Sequence, residues 1–170
     1  AGSSIIRDLT WRWKFHIGSS VCPVHSPPQM LPTLLIVDDE RATREGLRSA
    51  LEEEFDVYLA SNISEALRVL QNGEIQLMLT DLRMGSDSGL DLIDAALKLS
   101  HPPVILMMTA YGSVDTAVEA MRRGAFHFVT KPLNLDEVEI LLKRALRSKT
   151  LETENVQLTQ QVKRGGSLSR

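Results

Sequence analysis

Cysteine is almost missing from this sequence, because Cys22 is the single cysteine among 170 residues. A disulfide within the chain is therefore excluded. Since no secretory signal pattern is present either, we expect a reducing, cytoplasmic environment. Long apolar runs are missing as well. None approaches the roughly 20 residues that a membrane-spanning helix needs, so a membrane protein is not expected.

Clustered positive charge is also lacking. The chain has 19 Lys and Arg residues against 22 Asp and Glu residues, which gives a formal net charge of −3. Nucleic-acid binding depends on grouped Lys and Arg side chains that neutralise phosphates, so direct binding of nucleic acid by this chain is not expected. A Gly-rich phosphate loop and a basic helix-turn-helix pattern are missing too, which argues against an ATPase or DNA-binding module in this sequence.

The sequence does contain four apolar runs, each of which leads into polar residues. The runs and their polar ends are 34–37 with Asp38 and Asp39, 75–80 with Asp81, 104–108 with Thr109, and 126–130 with Lys131. If these runs are parallel strands, their carboxyl ends meet at one edge of a sheet. Three carboxylates, a hydroxyl and an ammonium then converge. Such a crevice suits a divalent metal ion and a phosphoryl group.

Strands and helices alternate from residue 33 onward at the spacing of parallel α/β units. The predicted strands cover residues 33–37, 57–60, 75–80, a run from 104, and 126–130, and two of the predicted helices cover about 42–54 and about 90–99. Right-handed crossovers then predict an α/β fold with a doubly wound five-stranded parallel sheet in the order 2-1-3-4-5. This is a flavodoxin-like three-layer sandwich.

Local signals mark the ends of the other predicted helices. Capping boxes at Asn62 with Glu65 and at Asn134 with Glu137 predict the starts of the second and fifth helices. Ser113 is a candidate cap for the fourth helix, which Gly124 is expected to close.

The sequence divides into three predicted parts. Residues 1–32 are broken up by Gly, Ser and Pro and are predicted to be an N-terminal extension outside the domain, or residues that are not native. Within them, Trp11 and Trp13 belong to an alternating pattern that is typical of a half-buried strand. Residues 33–148 are the predicted domain. Residues 149–170 are predicted to be a linker helix with a flexible tail.

The linker carries a short heptad seam of Leu151, Asn155, Leu158 and Val162. Such a seam, with one polar residue among apolar ones, predicts dimerisation through a coiled coil. About two heptads are too few to be stable alone, so a solvated helical extension is the alternative.

The adjacent carboxylates Asp38 and Asp39 diverge, so we expect one to bind a metal ion directly and the other to act through water. Mg²⁺ prefers oxygen ligands, of which only one or two are protein carboxylates, and Asp39, Asp81 and a backbone carbonyl fit this requirement. A helix N-cap is the alternative role for the pair. With charge compensation from the metal and Lys131, Asp81 is a candidate nucleophile that forms an acyl phosphate. The ammonium of Lys131 and the hydroxyl of Thr109 are candidate contacts for phosphoryl oxygens.

Taken together, Asp38-Asp39, Asp81, Thr109-Ala110 and Lys131-Pro132 resemble the receiver domain of bacterial two-component response regulators. The resemblance implies that Asp81 accepts the phosphoryl group and that Lys131 binds it. It also implies a cis peptide bond between Lys131 and Pro132.

The same resemblance implies roles for the other residues of the site. Asp39, Asp81 and the backbone carbonyl of Arg83 are expected to bind Mg²⁺, with Asp38 acting through water. Thr109 and Phe128 are expected to form the switch. The protein is expected to act as a signalling module, with self-phosphorylation and self-dephosphorylation as its only chemistry.

Residues 108–113, 117–121 and 124–126 look more narrowly like receivers of the nitrogen-regulation type, which belong to activators of σ54-dependent transcription. This likeness implies a sensor histidine kinase as phosphoryl donor and a homodimer formed through the face of helix four, strand five and helix five, together with the linker helix. It also implies a downstream output domain that this chain does not contain.

Two residues depart from the family pattern. Gly85 stands where relatives usually have proline, which predicts a more flexible loop after the acceptor strand. His127 replaces a residue that is commonly acidic, and we expect it to be an exposed strand side chain, with a pH-sensing role as the alternative. Two other functions remain open at this stage, a Mg²⁺-dependent phosphohydrolase and a receiver-like binding module that is never phosphorylated.

Overall fold

A computed structural model describes residues 30–85, 87–110 and 114–165. The tryptophan-containing segment and the Ser113 cap lie outside these residues. Five parallel strands form the sheet: β1 (Thr33–Val37), β2 (Asp56–Ala60), β3 (Leu77–Asp81), β6 (Val104–Thr109) and β7 (His127–Thr130). Two further strands of two residues each, β4 (Arg83–Met84) and β5 (Asp87–Ser88), form a separate antiparallel hairpin.

The strands of the main sheet lie in the order β2-β1-β3-β6-β7. Because β4 and β5 belong to the small hairpin, this is the predicted order 2-1-3-4-5, and the predicted doubly wound fold is confirmed. Every residue of the central strand β3 is buried. A buried central strand that begins with an apolar run is expected when helices cover both faces of a parallel sheet.

The described residues contain five helices: α1 (Arg41–Leu51), α2 (Ile63–Asn72), α3 (Gly89–Leu97), α4 (Val114–Arg123) and α5 (Leu135–Gly165). The first four connect strands, and α5 follows the last strand. Helices α1 and α5 bury Leu47, Leu51, Val138 and Leu142 against one face of the sheet. The other three helices pack on the opposite face, where Leu92 and Ile93 of α3 are fully buried. The result is the predicted three-layer sandwich. Among the described residues, no helix is both long enough and apolar enough to cross a membrane.

Element ends differ from the predictions where tertiary contacts intervene. Helix α1 stops at Leu51 because a tight turn follows, in which the amide of Phe55 donates to the carbonyl of Leu51 and the Phe55 ring enters the core. Strand β3 begins two residues later than predicted. The amide of Gln76 there bonds to the hydroxyl of Thr33, at 3.0 Å, and to its carbonyl.

The predicted capping residues act through their side chains. The Asn62 side chain accepts a hydrogen bond from the amide of Glu65 at 2.9 Å, while the Glu65 carboxylate turns back to the amide and hydroxyl of Ser61. Asn134 likewise accepts from the amides at the start of α5. Gly124 follows α4 with φ of 112°, a conformation that glycine adopts without strain.

Helix α5 is continuous through the predicted boundary at residue 148 and ends at Gly165. The side chain of Leu151, the first seam residue, is exposed. Residues 149–165 of the predicted linker are therefore helical, while the predicted flexible tail beyond them lies outside the described residues. The pairing of this helix with a second copy stays a prediction.

Candidate metal and phosphoryl site

The carboxyl ends of the strands place the polar residues at one edge of the sheet. Asp38 directly follows β1, Asp81 ends β3, and Thr109 ends β6. Lys131 follows β7, and its amide bonds to the carbonyl of Thr109 at 2.8 Å. The strand pairings keep these ends level, so the convergence expected from the apolar runs is a property of the fold.

Three carboxylates cluster at this edge. Each of Asp38, Asp39 and Asp81 offers one oxygen, and these three oxygens lie within 4.8 Å of one another. Their exposure differs sharply, since Asp38 is fully buried, Asp81 is 8% exposed, and Asp39 is open to solvent. An all-oxygen donor set of this size suits a hard divalent cation.

Lys131 bridges two of the carboxylates. Its ammonium lies 2.9 Å from one oxygen of Asp38 and 2.6 Å from one oxygen of Asp81. The second oxygen of Asp38 accepts from the amide of Glu40 at 2.8 Å, and that of Asp81 accepts from the amide of Arg83 at 3.1 Å. Each of these carboxylates is thus held by one ammonium and one backbone amide.

The pKa values of Asp38 and Lys131 are set by different balances of burial and hydrogen bonding. Burial raises the pKa of Asp38, and the hydrogen bonds from Lys131 and the Glu40 amide offset only part of this effect. Burial by itself lowers the pKa of Lys131, but hydrogen bonds and charge from Asp81 and Asp38 outweigh it and leave that pKa raised. The asymmetry follows from geometry, since the Asp38 side chain is completely buried whereas that of Lys131 is 26% exposed.

The N-cap alternative for the aspartate pair is not what the structure shows. The N-cap position of α1 is Glu40, which makes no side-chain capping bond. The oxygen of Asp38 that faces the Glu40 amide closes a short turn before the helix, and Asp39 is left facing solvent.

The backbone around Asp81 is crowded by Gly89, the first residue of α3. A Cβ atom built on Gly89 would overlap the carbonyl oxygen of Asp81 and approach the Cα of Leu82 to 3.1 Å. The amide of Gly89 donates to the carbonyl of Leu82 at 2.9 Å, which holds the two segments together. Between them, Gly85 has φ of 59° in the turn of the β4–β5 hairpin, so it occupies a conformation that proline cannot adopt.

Thr109 and Phe128 lie one and two strands away from Asp81. The Thr109 hydroxyl donates to the carbonyl of Ala110 at 3.2 Å. Phe128 is partly buried against the core beneath α3 and α4, and its ring centre is 5.7 Å from that of His127, which is exposed as expected. The peptide bond between Lys131 and Pro132 is cis, as predicted.

Sequence reasoning missed two residues that shape this edge. The close approach of Gly89 to Asp81 depends on where α3 begins in space, which no sequence pattern marks. Arg44 was missed because nothing in its spacing marks it, although its guanidinium donates to the carbonyl oxygen of Asp38 at 2.6 Å.

Comparison with known proteins supports the resemblance found in the sequence. A model of the response regulator receiver domain matches residues 34–143. The response regulator protein PilR of Pseudomonas aeruginosa is 43% identical over 122 residues, which are 71% of this chain and 27% of that protein. The DNA-binding transcriptional regulator NtrC of Azospirillum brasilense is 38% identical over 119 residues, which are 69% of this chain and 25% of that protein.

Solved structures give the same result. NtrX from Brucella abortus, in complex with ADP, superposes with a TM-score of 0.72 at 30% identity, over 76% of this chain and 30% of NtrX. A receiver domain protein from Clostridium thermocellum superposes with a TM-score of 0.68 at 29% identity, over 71% of this chain and 98% of that one. This chain spans about a quarter of the length of the curated relatives, 27% of PilR and 25% of NtrC. It belongs to the response regulator receiver domain family, a family of phosphorylation-dependent signalling domains.

Proposed function

We propose that this chain is a phosphorylation switch in which Asp81 accepts a phosphoryl group from a phosphohistidine of a sensor kinase. The observation that carries the proposal is the position of the Asp81 carboxylate. It lies at the edge of the sheet, 2.6 Å from the Lys131 ammonium and within ligand range of Asp38 and Asp39. A carboxylate so placed can attack phosphorus while a fixed cation stands beside the transferred oxygens.

The residues present fit Mg²⁺. Three carboxylates and one ammonium carry a formal charge of −3 plus 1, or −2, which one divalent cation neutralises. Asp39 is exposed, and Asp81 and the backbone carbonyl of Arg83 complete the ligand set that we propose. Asp38 is fully buried whereas its neighbour Asp39 is exposed, so we assign Asp38 a role through water. When bound, Mg²⁺ supplies positive charge for the phosphoryl oxygens.

In the transfer step, one oxygen of Asp81 forms a bond to phosphorus while the bond between phosphorus and the histidine nitrogen breaks. The electron pair of the broken bond stays on the imidazole. Lys131 exchanges its hydrogen bond to Asp81 for one to a phosphoryl oxygen and keeps its partner Asp38. The product is an acyl phosphate that is stored rather than turned over, so we do not class the protein as an enzyme.

The readout begins at Thr109. Its hydroxyl now donates to the Ala110 carbonyl, and we propose that it turns to a phosphoryl oxygen after transfer. Phe128, which is only partly buried, then repacks toward the space that the hydroxyl leaves. Phosphorylation in this way shifts the population between two arrangements of α4, β7 and α5.

The output that we propose is a change in dimer contacts, which controls a σ54-dependent transcriptional module in a longer protein. Val118 and Met121 of α4 are exposed, and so are Ile140, Leu151 and Val156 of α5. A row of exposed apolar side chains on one face is typical of a contact surface. A second copy of the chain is the partner that the heptad seam favours.

Phosphorylation is tested by incubating the protein with acetyl phosphate and Mg²⁺ and measuring its intact mass. We expect a mass increase of one phosphoryl group in the wild type and in Asp56→Asn, a control that removes an exposed carboxylate at the start of β2. We expect no increase in Asp81→Asn. Equal labelling of wild type and Asp81→Asn would refute the assignment of the acceptor.

The dimer is tested separately by light scattering with and without beryllofluoride and Mg²⁺. Ile140→Asp places a charge on the exposed face, and we expect it to abolish any mass change that beryllofluoride causes in the wild type. The control is Leu31→Asp, since Leu31 is also exposed but lies before β1. If both variants behave alike, the contact does not involve the face of α4, β7 and α5.

A further inference from the structure

Arg44 holds the backbone carbonyl of Asp38, which lies six residues earlier in the loop after β1. It lies in the second turn of α1, and its guanidinium donates to the carbonyl oxygen of Asp38 at 2.6 Å in a partly buried setting. That carbonyl belongs to the peptide that joins Asp38 to Asp39. Because a peptide unit is planar and rigid, holding its oxygen also fixes the direction in which the Asp39 backbone leaves it.

The other side of Asp38 is anchored as well. Its amide donates to the carbonyl of Ala60 at 3.2 Å, so the last residue of β2 holds the loop from the neighbouring strand. One oxygen of its carboxylate accepts from the amide of Glu40. Asp38 is thus held by its amide, its carbonyl and its side chain. Arg44 supplies the one of these three contacts that reaches the peptide leading to Asp39.

Arg44 also has an acidic neighbour. Glu65 accepts hydrogen bonds of 2.8 Å from both the amide and the hydroxyl of Ser61, and these bonds lower its pKa, with a smaller contribution from the charge of Arg44. Ser61 directly follows β2. Glu65, in the first turn of α2, therefore attracts Arg44 electrostatically, while Arg44 donates a hydrogen bond to the loop after β1.

We propose that Arg44 is a positioning residue of the metal site, which holds the peptide between Asp38 and Asp39 so that the exposed Asp39 carboxylate stays within reach of Asp81. This inference rests on the proposed Mg²⁺ site. An arginine suits the task because its planar guanidinium remains charged and can bond to the carbonyl while it faces a carboxylate. Outer residues that orient metal ligands change metal affinity without touching the metal.

The test is Mg²⁺ affinity in the absence of any phosphoryl donor, measured by calorimetry on the full chain. In Arg44→Met we expect the dissociation constant to rise about tenfold. In Arg48→Met, one turn farther along α1, we expect no change, because Arg48 pairs with the exposed Glu52 at 3.7 Å. Arg44→Lys keeps the charge with less reach, and we expect it to recover part of the affinity.

A second readout separates positioning from general support of the fold. At saturating Mg²⁺, the rate of labelling by acetyl phosphate in Arg44→Met should return to within about threefold of wild type, since only the occupancy of the site is lowered. Unchanged affinity in Arg44→Met and Arg44→Lys would overturn the inference and leave the metal site intact. A wild-type protein that binds no Mg²⁺ would overturn the proposed function and this inference together. Should Arg44→Met not fold, Arg44→Lys alone decides, because unchanged affinity there is the contrary result.

Discussion

Two partly buried lysines lie at opposite ends of the sheet, and their pKa values move in opposite directions. Lys131, at the carboxyl edge, pairs with Asp38 and Asp81, and its pKa is raised although burial alone lowers it. Lys149 of α5 donates to the carbonyl of Pro102 near the amino end of β6 at 3.0 Å. Burial lowers its pKa, and the nearby charge of Glu152 does not make up the difference.

The comparison shows what a buried ammonium requires. A hydrogen bond to a neutral carbonyl satisfies a donor but does not replace the solvation of the charge, whereas two carboxylates do. Lys131 at the carboxyl edge therefore belongs to a group of interacting charges, whereas Lys149 at the amino edge donates to a neutral carbonyl. Variants at the two ends should therefore change the free energy of unfolding by different amounts and with different pH dependence.

The largest effect is expected for Lys131→Met. It leaves the fully buried Asp38 without a cationic partner, which should lower the free energy of unfolding by about 3 kcal/mol near neutral pH. The loss should shrink in acid, because Asp38 can then take up a proton. Urea unfolding in EDTA at several pH values measures it. A loss that is constant with pH would contradict the role of the buried carboxylate.

Gly89→Ala should have the next largest effect. The new methyl group overlaps the Asp81 carbonyl, so the backbone must shift, at a cost of about 2 kcal/mol. The matched control at the amino edge is Gly73→Ala, whose Cβ meets the Val69 carbonyl at 3.3 Å and should cost less than about 0.5 kcal/mol. Urea unfolding of both variants tests the difference. Equal losses would show that the carboxyl edge is no more tightly packed than the other.

Asp38→Asn should stabilise the protein in the absence of metal. The raised pKa of Asp38 means that the folded state holds this proton more tightly than the unfolded state does. Stability therefore falls as pH rises through the range between the two pKa values, and the charged form is costly at neutral pH. Removing the charge should add about 1 kcal/mol while Mg²⁺ affinity falls. Thermal unfolding in EDTA, compared at pH 3 and pH 7, tests the sign.

The smallest effect is expected for Lys149→Met, and its pH dependence should oppose that of Lys131→Met. For Lys149 the folded pKa is lowered, so the cost of its charge is present at neutral pH and fades as pH rises toward the ordinary lysine value. The variant should gain about 0.5 kcal/mol at neutral pH and nothing in strong alkali. For Lys131 the folded pKa is raised, so its charge stabilises the fold from the acid range in which Asp38 takes up a proton up to the ordinary lysine value, and this contribution is lost above that value. Parallel pH profiles for the two variants would contradict the comparison.

The sequence was sufficient for the sheet order and for the shared edge, because apolar strands with polar ends and short crossovers leave few topologies. It also suggested the cis bond before Pro132, through family likeness. The sequence could not show that Asp38 is buried and Asp39 exposed. The two residues have the same side chain, and only the direction in which the loop turns distinguishes them. The roles of Arg44 and Gly89 could not be predicted from the sequence either. Each depends on how a helix end is placed against a loop, and neither periodicity nor spacing encodes that.

Helix α5 extends from the carboxyl edge of the sheet, near Lys131, to Gly165. It starts four residues after Lys131, runs down one face of the sheet past Val138 and Leu142, and continues to Gly165 as one helix of 31 residues. At about 1.5 Å per residue its length is about 46 Å, so a tilt of about 10° at the packed end moves the far end by roughly 8 Å. We expect a continuous helix of this length to convert a small rotation of its packed end, near Lys131, into a displacement of several ångströms at Gly165.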